Sequence, residues 1–206
     1  MMRLTTLLLL LLVAACSPVP PRPLPDTSNE QSWQQRRQQL HQLTHWQLSG
    51  RLAVQNDHEA WHMSLTWQQR GDRYSLNIIA PLGQGSMQLH GDAVQVTMLT
   101  DEGDTISSSN PDLLLYTQLG WKVPVSALRY WVLGLPAPGD HQQHLDANGR
   151  LEHLTQAGWE IAFLDYQPQL GVELPRKVFI DNHLARVRLV ISNWQPLAAN
   201  EGEDGS

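Results

Sequence analysis

A chain of 206 residues is long enough for one sizeable core and too short for two comfortable domains. Hydrophobic residues at 41% and charged residues at 17% exclude a disordered chain, and a net charge of −6 without any basic run argues against a nucleic-acid partner. Eight tryptophans against two phenylalanines is the compositional oddity; Trp keeps a polar handle at the edge of apolar surface, which suits a wet-edged cavity.

The amino terminus is the most specific stretch. Arg3 gives a short positive region, Leu4 to Val13 an apolar one, and Ala14-Ala15 the small residues before a cleavage point. The apolar run is too short to span a bilayer, which takes about 20 residues. Cys16, the sole cysteine, follows at once. Residues 1–15 therefore read as a lipoprotein signal peptide, VAAC resembles a lipobox, and Cys16 is the expected lipidation site. A lone cysteine in an exported chain cannot form an internal disulfide, so acylation also removes a free thiol. Ser17 is compatible with passage to the outer membrane. Residues 16–27 are rich in proline (PVPPRPLPD at Pro18 to Asp26) and read as an extended tether. Residues 28–195 carry the domain, and residues 196–206, ending NEGEDGS, read as an acidic tail without packing partners.

Within the domain, Ser28 and Gln31 suggest a capping box for a helix running to about Thr44, with Trp33, Leu40 and Leu43 on one face. Alternation then predicts strands at Trp46–Val54, Trp61–Trp67, Tyr74–Ala80, Met87–Leu89 and Val94–Met98, joined by short polar turns. Asn110-Pro111-Asp112 opens a second helix that Gly120 ends, and Pro124 opens a third running to Leu133 and Gly134. Both are apolar over more than one stripe, so they should be buried on more than one side. Strands resume at His141–Leu145, Leu151–Gln156, Trp159–Phe163, Lys177–Asp181 and Leu184–Asn193. The expected fold is mainly β (α+β): one strongly curved antiparallel sheet of about 11 strands forming an incomplete β-barrel, with three helices, two of them lidding an apolar cavity.

Catalytic patterns fare poorly. His58-Glu59-Ala60-Trp61-His62 matches H-E-x-x-H, which needs a helix to bring both imidazoles to one zinc. Here it bridges a turn and a strand, where the two histidines would start about 13 Å apart if extended. Gly83-Gln84-Gly85 lacks the G-K-[ST] of a phosphate loop, and Gly85-Ser86 is no nucleophile elbow. No enzyme, cofactor or metal is expected. The loop Pro81-Leu82-Gly83 is ordinary turn chemistry except for Leu82, a bulky aliphatic at a loop tip. Either it folds back onto its own sheet, or it is presented to something apolar outside.

Taken together, WQLSGRLAV at Trp46 to Val54, PLGQG at Pro81 to Gly85, LGWKVPVSALRYWVLGLPAPG at Leu119 to Gly139, QAGWEIAFLDY at Gln156 to Tyr166, LPRK at Leu174 to Lys177 and the terminal LVISNW resemble the LolB family of outer-membrane lipoprotein receptors. The resemblance implies an unclosed barrel whose apolar cavity takes the acyl chains of other lipoproteins from a LolA-like periplasmic carrier and passes them to outer-membrane lipid. It implies that Leu82 protrudes and assists delivery, and that the protein works as a lipid-anchored monomer facing the periplasm. Candidate cavity-lining residues are Trp61, Met63, Leu65, Trp67, Ile78, Met87, Leu89, Leu115, Leu128 and Trp131, although each would serve equally as core filler. The competing reading is a membrane-tethered lipid-binding or envelope-stress sensor module.

Overall fold

The computed structural model describes residues 27–83, 85–120 and 124–198. The signal peptide, Cys16, the proline-rich stretch, Gln84, residues 121–123 and the acidic tail from position 199 lie outside the described residues. In chain order come α1 (Thr27–His41), β1 (His45–Gln55), β2 (Ala60–Arg70), β3 (Arg73–Ile79), a 3-10 turn (Pro81–Gly83), β4 (Ser86–Gly91), β5 (Val96–Thr100) and β6 (Thr105–Ser108). Then follow α2 (Pro111–Leu119), α3 (Val125–Trp131), β7 (His141–Leu145), β8 (Leu151–Gln156), β9 (Trp159–Gln169), β10 (Val172–Asp181) and β11 (Arg186–Pro196).

All eleven strands form one antiparallel sheet in the order β6-β5-β4-β3-β2-β1-β11-β10-β9-β8-β7. It is two meanders, β1 to β6 and β7 to β11, joined where the first strand pairs the last along Trp46–Gln55 and Arg186–Pro196. The outermost strands β6 and β7 do not pair, so the barrel stays open. The chain must travel from one outer strand to the other, and residues 109–140 make that crossing. This puts α2 and α3 over the concave face.

Period-2 burial fixes which side is concave. In β2, Leu65, Trp67 and Gln69 are buried and the residues between them are not; in β11, Val187, Leu189 and Ile191 are. One irregularity falls between Ser49 and Gly50, where the β1–β11 register shifts. A Cβ at Gly50 would fall on the Val190 carbonyl oxygen, so only glycine permits this close approach of backbones.

The helix ends follow local chemistry. The Asn110 side chain accepts from the Asp112 and Leu113 N–H groups at 3.0 and 3.1 Å, Pro111 occupies the first turn, and Gly120 closes α2 at φ 67°. α3 has no side-chain cap and ends at Trp131, two residues earlier than its pattern suggests, where the chain tightens into the Leu133 and Gly134 turn. α1 already includes Thr27, so Ser28 lies inside the helix rather than at its cap, and the helix stops at His41 instead of Thr44.

Three strand features depart from the alternation. β6, an edge strand that the alternation does not predict, has only Ile106 as an apolar residue. β9 and β10 continue to a hairpin at Leu170-Gly171, well beyond their apolar cores. Val94 is not an inward-facing strand residue. It is 75% exposed in a turn where the Asp92 carboxylate accepts from the Val94 and Gln95 N–H groups at 2.7 and 2.9 Å.

Nor are the tryptophans mainly edge residues: Trp33, Trp46, Trp67 and Trp131 are fully buried. Trp46 packs against Trp67 and Trp194 with ring centroids 5.4 and 5.2 Å apart. Two buried glutamines take the indole N–H groups of Trp67 and Trp131, Gln69 at 3.1 Å and Gln156 at 2.9 Å. Gln156 is itself closed onto the Ala137 backbone in both directions, at 2.9 and 2.7 Å. Each otherwise costly buried amide is thereby satisfied.

α1 crosses the end of the sheet where β1 begins. Leu40 is buried there, and Asn29 and Ser32 lie against Gly149 in the β7–β8 turn. The α1 residue Arg36 donates to the Glu173 carbonyl and lies over the Tyr166 ring at 5.2 Å; Arg150 lies over the same ring at 4.8 Å. Burial drives the Tyr166 phenol far above its ordinary range, and its hydroxyl donates to the Leu151 carbonyl at 2.6 Å.

Candidate functional site

The concave face and the two helices enclose a cavity of about 50 Å³. The sheet supplies Leu52 and Val54 from β1, Leu65 and Trp67 from β2, Leu76 and Ile78 from β3, Leu89 from β4, Ile180 from β10, and Val187 and Leu189 from β11. The helices supply Leu115 from α2 and Val125 and Leu128 from α3, with Val132 just after it. None of these carries a charged group, and the single polar atom, the Trp67 indole N–H, is already bonded to Gln69. A chamber so lined offers water no partner and stays dry.

Of the residues singled out from sequence, Leu65, Trp67, Ile78, Leu89, Leu115 and Leu128 line this cavity. Trp61, Met63 and Met87 share the parity of the lining positions but lie nearer the open strand ends, half-buried. Trp131 turns away from the cavity to meet Gln156. Leu52, Val54, Leu76, Val125, Val132, Ile180, Val187 and Leu189 line the cavity too, and were not among the candidates. For the strand residues the missing signal was register: Leu52 faces Met63 and Leu189, and Val54 faces Trp61 and Val187.

Two residues of the cavity wall also belong to the borders of other concavities. Leu52 also borders a groove of about 400 Å³ with Met63 and Pro81, and Val54 borders a pocket of about 210 Å³ with Trp61, Gly120 and Leu184. Polar contacts tie the helices to each other and to the sheet. Ser126 Oγ donates to the Asp112 carboxylate at 3.0 Å, joining α3 to α2, and Arg129 reaches Asp72 in the β2–β3 turn at 3.1 Å.

Beside the groove, the 3-10 turn presents Leu82 with 96% of its surface exposed and φ 58°, ψ 25°. The loop is closed by the Ala80 N–H donating to the Gly85 carbonyl at 3.0 Å, and Ile79 next to it is 45% exposed. A leucine in left-handed backbone costs roughly 1–2 kcal/mol and is normally avoided. Here the strain accompanies complete exposure, so no packing of Leu82 within the chain compensates for it.

His58 sits in the β1–β2 turn, capped with Glu59 by the Asn56 carboxamide at 2.8 Å each, whereas His62 belongs to β2. Among the described residues no group of three or more His, Cys, Asp or Glu is placed to hold a metal ion, and no helix is long and apolar enough to cross a membrane.

With this geometry established, the likeness to known proteins is direct. The family model described as outer membrane lipoprotein LolB matches residues 44–194. An outer-membrane lipoprotein LolB from Nitrosococcus oceani is 43% identical over 196 residues, covering 94% of this chain and 97% of that protein. Another from Alkalilimnicola ehrlichii is 39% identical over 186 residues, covering 89% and 92%. Among solved structures, a LolA superfamily protein from Nitrosomonas europaea superposes with TM-score 0.55 at 12% identity, covering 81% of this chain and 94% of that one. A DUF1329 family protein from Desulfovibrio piger does so with TM-score 0.56 at 7% identity, covering 84% and 94%. These two show the shared open-barrel fold. An open eleven-stranded half-barrel, two helices over a dry cavity and matching sequence from end to end of the sheet lead to one assignment: the chain belongs to the LolB family of outer-membrane lipoproteins, which serve lipoprotein localisation in Gram-negative bacteria.

Proposed function

We propose that this protein accepts lipoproteins from a LolA-like periplasmic carrier, holds their acyl chains against its concave face, and releases them into the outer membrane without catalysis, cofactor or metal. It acts as a monomer anchored through Cys16, with the domain of residues 28–195 in the periplasm. The observation that carries this reading is the cavity: fourteen apolar residues from six strands and the helical crossing converge on one chamber with an apolar rim.

At about 50 Å³ the chamber holds a few water-sized groups, far less than one acyl chain. Binding therefore requires α2 and α3 to move off the sheet. Each CH₂ buried contributes about 0.8 kcal/mol, so a chamber that fitted three chains perfectly would never release them. A cavity that must be prised open discounts that affinity, and the transfer can run downhill from carrier to bilayer. Leu82 is the residue that meets the bilayer.

The test mixes carrier loaded with lipoprotein and the mature chain bearing Cys16→Ala, exported by a non-lipoprotein signal peptide. Cargo should pass to the chain, and then to added vesicles. Leu82→Glu should still take cargo but fail to deliver it, because a carboxylate resists entering hydrocarbon. Cargo that stays on the carrier in the presence of folded protein would refute the reading.

A further inference from the structure

The convex face bears charge for which the transfer scheme has no use. Strand parity alternates cavity-lining residues with outward-facing ones: Arg51 and Ala53 flank Leu52, and Arg188 and Val190 flank Leu189. Register places His62, Ala53 and Arg188 in one cross-strand row and Ser64, Arg51 and Val190 in the next. These six residues face the groove of about 400 Å³ whose wall is Pro81, the neighbour of the fully exposed Leu82. Ala53 supplies only a methyl group at the centre, which leaves room between the longer side chains.

The cations are unequal. Arg188 is fixed, donating to Asp181 Oδ1 at 2.8 Å and lying 4.7 Å over the Phe179 ring. Arg51 is exposed and makes no ion pair among the described residues. Across β1, β10 and β11, Arg51, Arg176, Lys177, Arg186 and Arg188 outnumber the acids Glu173 and Asp181, of which Glu173 pairs with Arg150; Asp165 of the neighbouring β9 pairs with Arg176 and Lys177. A locally positive surface in a chain of net charge −6, next to an apolar side chain aimed outward, fits an anionic membrane surface.

We propose that this groove seats the phosphate of an anionic phospholipid when Leu82 enters the bilayer, with Arg51 as the principal donor, Arg188 the fixed one and the His62 ring N–H a third. The inference rests on the reading of the Leu82 loop as membrane-facing. It gives the loop a second, polar foothold one strand away, so that the apolar probe enters at a defined tilt.

The experiment is co-sedimentation of the mature Cys16→Ala chain with vesicles of phosphatidylcholine alone or mixed with phosphatidylglycerol. Binding should favour the anionic vesicles, and Arg51→Gln should weaken that preference about fivefold while leaving the melting temperature unchanged. Arg51→Lys should restore most of it. Arg73→Gln removes the same charge from the opposite end of the sheet and should change little. Equal binding to both vesicles would overturn the proposal, as would equal loss in the Arg51 and Arg73 variants, which would show diffuse attraction only. Carrier-to-chain transfer, measured on the same proteins, separates the two ideas. Arg51→Gln should accept cargo normally. A chain that never accepts cargo yet keeps its Arg51-dependent lipid preference would remove the proposed function and leave the groove standing.

Discussion

The two ends of the sheet are built on opposite principles. Where β1 begins, Trp46 packs on Trp67 and Trp194, Leu40 of α1 is fully buried, and Gln69 accepts the Trp67 indole hydrogen bond. Where β1 finishes, Trp61, Met63 and Met87 are only half-buried, Ile79 is 45% exposed and Leu82 is bare. The same alternation of residues serves both. One end spends its apolar surface on contacts within the chain, and the other leaves part of its apolar surface exposed, where the proposed function would use it. The same strands thus have a closely packed half and a half-open one, with Trp67 at the boundary lining the cavity as well.

The sharpest way to break this contrast is to truncate a tryptophan at each end. Trp46→Ala should cost about 3–5 kcal/mol and lower the thermal midpoint steeply, whereas Trp61→Ala, half-exposed, should cost less than half of that and show itself mainly in slower cargo transfer. If the two melted alike, the division of labour would be wrong. Leu82→Gly goes further: relief of a positive φ should leave the domain as stable as wild type or better by up to about 1 kcal/mol, while vesicle delivery falls. A melt and a delivery assay on one preparation decide it.

Smaller effects probe the ties. Arg129→Gln removes an ion pair that is largely solvent-exposed, so stability should shift by at most about 1 kcal/mol. Its expected signature is faster acceptance of cargo through an easier lid. At the tryptophan end, burial works against the Asp146 carboxylate, but donation from the Arg150 backbone, the Arg150 guanidinium and the Asn148 backbone outweighs it and holds its pKa below the usual range. A depressed carboxylate contributes fully above the unfolded-state pKa and loses that contribution as pH falls through the folded-state value. Asp146→Asn should therefore be slightly less stable at neutral pH and lose less on acidification, as melts from neutral to acid pH would show.

Much of this was written in the sequence because its signals are local. The caps of α2, the turns and the alternation of β1 to β4 each follow from residues within one or two turns of each other. The open barrel and its family came from longer stretches read as a whole. Illegible features were those created by pairing. Ile106 alone does not announce β6; it is a strand because β5 lies beside it. The ladder between β9 and β10 extends past Pro168 and Pro175, which no propensity would favour, because the two strands register with each other. In the site, Ile180, Val187 and Leu189 read as ordinary strand residues. Only the pairing of the last strand with the first sets Val187 beside Val54 and Leu189 beside Leu52, with Ile180 next to Val187, on the cavity face. Gln69 and Gln156 look like surface residues until their indole partners are known.

The pairing of β1 with β11 also fixes where the chain enters the domain. α1 and the start of β1 lie at the tryptophan end, while β3 carries the Leu82 loop about 23 Å away along its seven residues. The point of entry at Thr27 and the bare Leu82 therefore stand at opposite poles of the domain. If the chain is anchored ahead of Thr27, as the proposed function has it, the residues before the domain must bridge a distance on the order of 23 Å for Leu82 to reach the same bilayer.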